Sequence, residues 1–306
     1  MLLHVLHETT YAYAPMVRTA QHMAHLKPLA TGWQDVLSHR LTVEPRPARQ
    51  TESVDVYGNT RSFFSLQYSH DGLQVQAESL VSTRPRTAPA SSLPWEDAVE
   101  RMRYHRATVY DPAAEFAFAS PYVPRDAAFV AYAQASFTQG RPLLECARDL
   151  MRRIHADFEY ETTATDVNTP ALEALALRKG VCQDLAHVML GCLRSLRLPA
   201  RYVSGYLLTH PPAGQPRLVG CDASHAWVSL YLPAAEGPGT WFDLDPTNDR
   251  APGEDYVTLA IGRDYSDVSP MRGVLHGGAN HSLRVAVTVT PATHDGTTPA
   301  GPSMTE

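Results

Sequence analysis

The chain has 306 residues, of which 44% are apolar and 19% charged, with a net charge of −6 and a pI near 6.1. That make-up belongs to an ordinary globular protein of one large domain or, more comfortably, two, and it excludes a fibrous or disordered chain. The mild acidity gives no electrostatic reason to expect nucleic acid or anionic lipid as a partner.

The opening residues lack a basic segment followed by a long apolar one, so no signal peptide is expected. No run approaches the roughly 18 apolar residues of a membrane span, so no membrane partner is expected and the cytoplasm is the expected compartment. Cys146, Cys182, Cys192 and Cys221 form no CxxC pair, which speaks against a disulfide framework or a zinc knuckle. Isolated thiols default to small buried hydrophobes.

Residues 1–84 read as a β-rich N-terminal domain. Val5, Tyr11, Tyr13 and Val17 begin the strand pattern, and 41–43 continues it. Then 54–57 runs into a Gly58-Asn59 turn. Segments 62–66 and 73–77 follow, with Asp71-Gly72 as the expected hairpin turn between them. His22 and His25 make a metal-like pair, but no neighbouring Cys or carboxylate set completes a tetrahedral site, and no metal is expected. Residues 85–142, rich in Pro and Ala, read as a connector with short helices that wraps the core and buries Trp95, Tyr104, Tyr110 and Tyr122.

The core is expected over 143–275. Leu143, Ala147, Leu150 and Ile154 recur at helical spacing. A second, short helix opens at Thr169-Pro170, with Thr169 as N-cap, and stops at Gly180. A third starts at Cys182 and runs to about Leu196, with Leu185, Met189, Cys192 and Leu193 as its stripe. Three alternating strands follow at 201–208, 225–232 and 241–244. A C-terminal strand within 276–290, centred on 283–289, is expected to return to the N-terminal sheet, and 291–306 reads as a disordered tail. The whole is an α+β pattern.

Cys182 falls at a helix start, where unpaired N–H groups and the positive end of the helix dipole favour a thiolate over a thiol. The same N–H groups suit an oxyanion. Along 225–232, Ala226, Val228, Leu230 and Leu232 share one face and read as core. His225, Trp227, Ser229 and Tyr231 share the other, which reads as a cleft wall. The next strand ends in Asp243-Leu244-Asp245-Pro246, bringing carboxylates beside His225. A thiol, an imidazole base and a carboxylate that orients the base form the nucleophile–base–orienter set of acyl transfer.

Gly180-Val181-Cys182-Gln183-Asp184-Leu185-Ala186-His187 resembles the GVCQDxAH nucleophile segment of the bacterial transglutaminase-like cysteine protein family. Segments 200–206, Ser224-His225-Ala226-Trp227-Val228 and Asp245-Pro246-Thr247-Asn248 are similar to its following strand and its SHAWV and DPTN motifs. Segments 262–268, 7–28 and 55–59 extend the likeness over nearly the whole chain. The resemblance implies a papain-like transglutaminase core, with the nucleophile helix packed on an antiparallel sheet, beside a β-rich N-terminal domain. It also implies Cys182 as nucleophile, His225 as base and Asp245 as orienting carboxylate, with no metal or organic cofactor. The implied chemistry is that of a cysteine peptidase, amidase or transamidase acting on peptide or protein amides through a thioester. A silent peptide-binding role beside peptide-ligase-like partner proteins is the alternative. Asp243 departs from the pattern, stands as a rival to Asp245, and is expected to raise one carboxyl's pKa by like-charge repulsion.

Tyr160 or Gln183 is a candidate second oxyanion donor, and Trp227, Arg263, Asp264 and Tyr265 are candidate substrate-groove residues. Asp184 and His187 read as structural hydrogen-bonding groups.

Overall fold

The computed structural model describes residues 1–89, 92–103, 110–209, 224–278 and 280–293. Tyr104, Cys221 and most of the expected tail lie outside the described residues. The N-terminal strands are β1 (Leu2–Ala24), β2 (Gln34–Glu44), β3 (Arg49–Val54), β4 (Thr60–Leu66) and β5 (His70–Thr83). They join two late strands, called β12 (Met271–Gly277) and β13 (Asn280–Pro291) in chain order, in one antiparallel sheet. β1 is its spine. The first half of β1 lies between β5 and β13, and its last residues lie between β4 and β12. Leu3, Val5, His7 and Thr9 are buried at the period of two that a half-buried strand requires.

Asp71-Gly72 is not a hairpin turn. It lies inside β5, with Gly72 opposite Ala12, and β4 and β5 each pair with β1 instead of with each other. The ladder offered by the long β1 outweighs the local turn preference of the dipeptide.

Four short elements separate the two sheets: α1 (Trp95–Arg101), a 3-10 turn at Pro112–Ala117, α2 (Ala127–Ala133) and α3 (Leu143–Asp157). Ala98, Phe129 and Ala133 join the same apolar cluster as Leu150 and Ile154 of α3. Tyr110, expected to be buried, is about half exposed, because its hydroxyl donates to Glu115 at the surface.

Then come β6 (Glu159–Tyr160), α4 (Ala171–Leu177), β7 (Lys179–Gly180) and α5 (Cys182–Ser195). The cap of α4 differs from expectation at both ends. Pro170 is the N-cap, while the Thr169 hydroxyl accepts the Asp166 N–H. The left-handed C-cap is Arg178 (φ 56°), not Gly180. The Arg178 guanidinium lies 4.2 Å over the Tyr132 ring and 5.1 Å over Phe158, contacts that offset the strain of a side chain in that conformation.

The core sheet is β8 (Ala200–Leu207), β9 (Ser224–Leu232), β10 (Thr240–Leu244) and β11 (Tyr256–Gly262), in the order β10-β9-β8-β11. α5 packs on it through Leu185, Met189 and Leu193 against Val228 and Leu230. Strand β11 was not anticipated. It is buried on both faces and so shows no polar–apolar alternation. After it, α6 (Tyr265–Val268) leads into β12.

The two sheets meet where Leu3, Val5, Val287 and Val289 close on Tyr206, Val257 and Leu259. Among the described residues no helix is long and apolar enough to cross a membrane.

Candidate active site

Cys182 is the first residue of α5, directly after the two-residue ladder of β6 and β7. Asp184, at the third helical position, is buried and accepts the Val181 N–H (2.8 Å) and the Thr165 hydroxyl (2.7 Å). Burial raises its carboxyl's pKa. Because Asp184 folds back in this way, a Cβ on Gly180 would stand 2.6 Å from its Oδ2, at a φ of +152°. Gly180→Ala is therefore expected to destabilise the fold by about 1–3 kcal/mol and to slow labelling of Cys182, read by thermal unfolding and alkylation rate. The first bonds within the helix start at the amides of Asp184 and Leu185, both reaching Val181 O. The amides of Cys182 and Gln183 stand ahead of them at the positive end of the helix.

His225 sits at the start of β9, opposite Gly205 of β8. Gly205 is where the chain comes closest: a Cβ there would meet the Trp227 ring at 2.4 Å. The imidazole Nε2 is 2.6 Å from Asp245 Oδ2. With Nε2 engaged, Nδ1 is the ring nitrogen left for Cys182, whose Sγ lies 4.0 Å from the carbonyl oxygen of the neighbouring Ser224. Burial works against charge on the ring, yet the hydrogen bonds and negative charge of Asp245 and Cys182 prevail and push its pKa up to about 10.

Asp245 is fully buried just past β10. Its Oδ2 accepts from His225, Asn248 Nδ2 (2.7 Å) and the Tyr256 hydroxyl (2.7 Å), and its Oδ1 from the amides of Thr247 (2.8 Å) and Asn248 (3.3 Å). Burial alone would raise its pKa, but His225 and these donors hold it below the usual carboxylate value. The rivalry with Asp243 dissolves here. Asp243 turns to Arg86 and to Trp227 Nε1 (3.0 Å), so the two carboxylates do not share a site and the expected like-charge rise at Asp245 is absent.

Several expected groove residues lie elsewhere. Trp227 is fully buried, because Leu29 and Tyr57 from the N-terminal segment cover that face of β9 together with Val203, Tyr256 and Ile261. Of the face read as a cleft wall, only His225 lines the cleft. Asp264 is also fully buried; it caps α6, accepting from Ser266 N–H and hydroxyl on one oxygen and from Tyr122 N–H on the other. Arg263 is taken up by Asp267. Tyr160 is mostly exposed on β6 and does not line the cleft, although the charge of Cys182 adds to burial in raising its pKa.

Gln183 and Tyr265 do line the cleft. The Gln183 side-chain amide donates to Val167 O (3.0 Å), which commits it to the loop before α4. The Tyr265 N–H donates to Nε2 of His187 (3.2 Å), a buried imidazole stacked on Tyr122 and kept neutral by a pKa lowered to about 3 by burial. His22 stacks on Phe64, and His25 Nδ1 donates to Ser269 O (3.1 Å). No group of three or more His, Cys, Asp or Glu among the described residues is arranged to hold a metal ion. Cys146 and Cys192 are free and buried, with thiol pKa values raised by burial.

Sequence reasoning missed Tyr256, which arrives on the unanticipated β11, and Tyr202 of β8, which lines the cleft. It also missed the far wall. The cleft, about 450 Å³, is lined beyond the core by Tyr11 of β1 and by Leu283 and Val285 of β13. The alternation of 283, 285 and 287 was a visible signal, but nothing in it says what the face looks onto.

Residues 3–82 match the bacterial transglutaminase-like N-terminal region, and residues 130–246 match the transglutaminase-like superfamily. An uncharacterized protein of Mycobacterium tuberculosis is 38% identical over 295 residues, covering 94% of this chain and 92% of that one. One of Mycobacterium leprae is 32% identical over 292 residues, covering 94% and 98%. The crystal structure of a candidate cysteine protease from Cytophaga hutchinsonii superposes with a TM-score of 0.74 at 20% identity, covering 97% of this chain and 93% of that one, which shows a shared fold. An α+β core carrying a thiol at a helix start, a β-rich N-terminal region and relatives alike over almost their full length leave one assignment: the chain belongs to the bacterial transglutaminase-like family.

Proposed function

We propose that the protein is a cysteine peptidase or amidase, of the kind that transfers the acyl group of a peptide or protein amide through a thioester. The observation that carries this reading is that Cys182, at the start of α5, lines one cleft with His225, whose imidazole is paired with the buried Asp245. Membership of the transglutaminase-like superfamily supports it.

In the first step the Cys182 sulfur, as thiolate, attacks the amide carbonyl. The C–S bond forms and the carbonyl oxygen takes up the negative charge, facing the N–H groups at the start of α5. The His225 imidazolium then gives its proton to the amide nitrogen as the C–N bond breaks, and the amine leaves. In the second step a water or an amine attacks the thioester, His225 takes its proton, and collapse expels the Cys182 thiolate. The proton ends on His225 and the resting pair is restored. Asp245 holds the imidazole throughout with Nδ1 toward sulfur. Water is the acceptor we assign, so the net reaction is hydrolysis. A thiol nucleophile needs a compartment that keeps it reduced, and we assign the cytoplasm.

The test is intact-mass spectrometry of the wild type with peptide mixtures, with and without an added primary amine. A mass increase on Cys182 that turns over to free acid supports the reading. No adduct and no product with any mixture, at a protein whose Cys182 alkylates no faster than Cys146, overturns it.

A further inference from the structure

The far wall of the cleft is built from strands nearly the whole chain length apart. β1 and β13 pair so that Tyr11 faces Leu283, Thr9 faces Val285 and His7 faces Val287. Residues two apart share a face, and all six of these line the cleft. Farther along the same face, Leu3 and Val5 with Val287 and Val289 seal against the core sheet. The two sheets are thus closed at one end, and the rungs at 9–11 and 283–285 line the same cleft as Cys182.

This platform carries no net charge. Glu8 and Arg284 fall on its opposite face. His7 hydrogen-bonds the Tyr206 hydroxyl (3.0 Å) and Thr9 Oγ1 (3.1 Å), and burial lowers its pKa to about 4, so it is neutral. Across the cleft stand Val181, Ala226 and Met271, and no Asp, Glu, Lys or Arg is among the described residues that line it. Leu283 and Val285 nevertheless leave about half of their surface in solvent, at 53% and 49%. An apolar surface of this kind beside a nucleophile lacks only an apolar partner, and a charged group seated on Leu283 and Val285 would lose water with no opposite charge on the platform to pair with.

We propose that the β1–β13 platform is the wall that selects the acyl part of the substrate, seating an uncharged apolar side chain beside the amide that Cys182 attacks. The leaving amine has to reach solvent, whereas the acyl part stays bound as thioester; the apolar side suits the part that stays. This rests on the cysteine-amidase reading and names its substrate class.

The experiment uses dipeptidyl acyloxymethyl ketones, which alkylate an activated thiol, with Leu, Phe, Asp or Lys at the residue next to the reactive one. Cys182 labelling rates are read by intact mass. Wild type is expected to favour the Leu and Phe probes by about tenfold or more. Leu283→Lys is expected to shift preference toward the Asp probe and Leu283→Glu toward the Lys probe. Shifts of opposite sign cannot come from a damaged fold. Val274→Lys, on an exposed stretch of β12 outside the cleft, should keep the wild-type order. Equal wild-type rates for all four probes, or the same order in both Leu283 variants, overturns the proposal while leaving Cys182 chemistry intact. Wild-type labelling that does not slow in His225→Ala overturns the cysteine-amidase reading, and this proposal with it.

Discussion

Cys182→Ala and His225→Ala are each expected to lower amide turnover by about 10⁴-fold or more, and the double variant no further than the worse single one. Groups that act as one unit are not additive: once sulfur is gone no thioester forms for the imidazole to act on, and without the imidazole the leaving amine has no proton donor. The measurement is kcat/KM on a peptide that the wild type turns over, backed by iodoacetamide labelling. Cys146 and Cys192 serve as internal references, because burial shields them and raises their thiol pKa values. Labelling at Cys182 that outpaces Cys146 and Cys192 and slows in His225→Ala is the expected result. Equal labelling at Cys146 would sink the activated-thiol claim.

Asp245→Asn is expected to cost roughly 10³–10⁴-fold in kcat, the scale on which loss of the orienting carboxylate acts in a Ser-His-Asp triad. An amide in that place no longer stabilises the imidazolium, so the pKa of His225 should fall from about 10 toward its ordinary 6.5, read by NMR of the imidazole. Stability should follow. The folded protein binds the His225 proton more tightly than the unfolded chain does, so this contribution is complete below about pH 6.5 and is lost as pH rises through about 10. Wild type is therefore expected to lose stability over pH 6.5–10 by more than Asp245→Asn does, measured by chemical denaturation. A variant with the wild-type His225 titration would refute the orienting role. Asp243→Asn separates the two carboxylates: it strands the mostly buried Arg86 and is expected to cost about 3–5 kcal/mol of stability with turnover changed far less.

The helix that starts at Cys182 was legible because its signals are local. A 3–4 spaced stripe over 185–193 needs no knowledge of the rest of the chain, and neither does the placement of Cys182 at its start. The partnership of His225 with a carboxylate followed from two neighbouring strands, which sequence order alone makes adjacent. Choosing Asp245 over Asp243 was not local. Period two gives both the same face, and the decision comes from Arg86, far back in the chain, neutralising Asp243 while Tyr256 and Asn248 converge on Asp245. Trp227 and Asp264 were misplaced for a related reason. An aromatic or acidic residue on a strand or loop looks the same in sequence whether solvent or another segment covers it.

The sequence by itself determined the elements that carry the candidate site: the helix beginning at Cys182, the strand beginning near His225 and the strand leading to Asp245, together with a β-rich opening segment. These rest on periodicity and on end signals spanning a few residues. Only the tertiary structure decided the rest. It placed β11 beside β8, chose β1 as the strand on which the returning β13 is seated, and so brought Tyr11, Leu283 and Val285 into the cleft that Cys182 lines. A wall of that kind is a relation between two sheets, set by how their apolar faces seal at Leu3, Val5 and Val257, and no spacing within either strand encodes it.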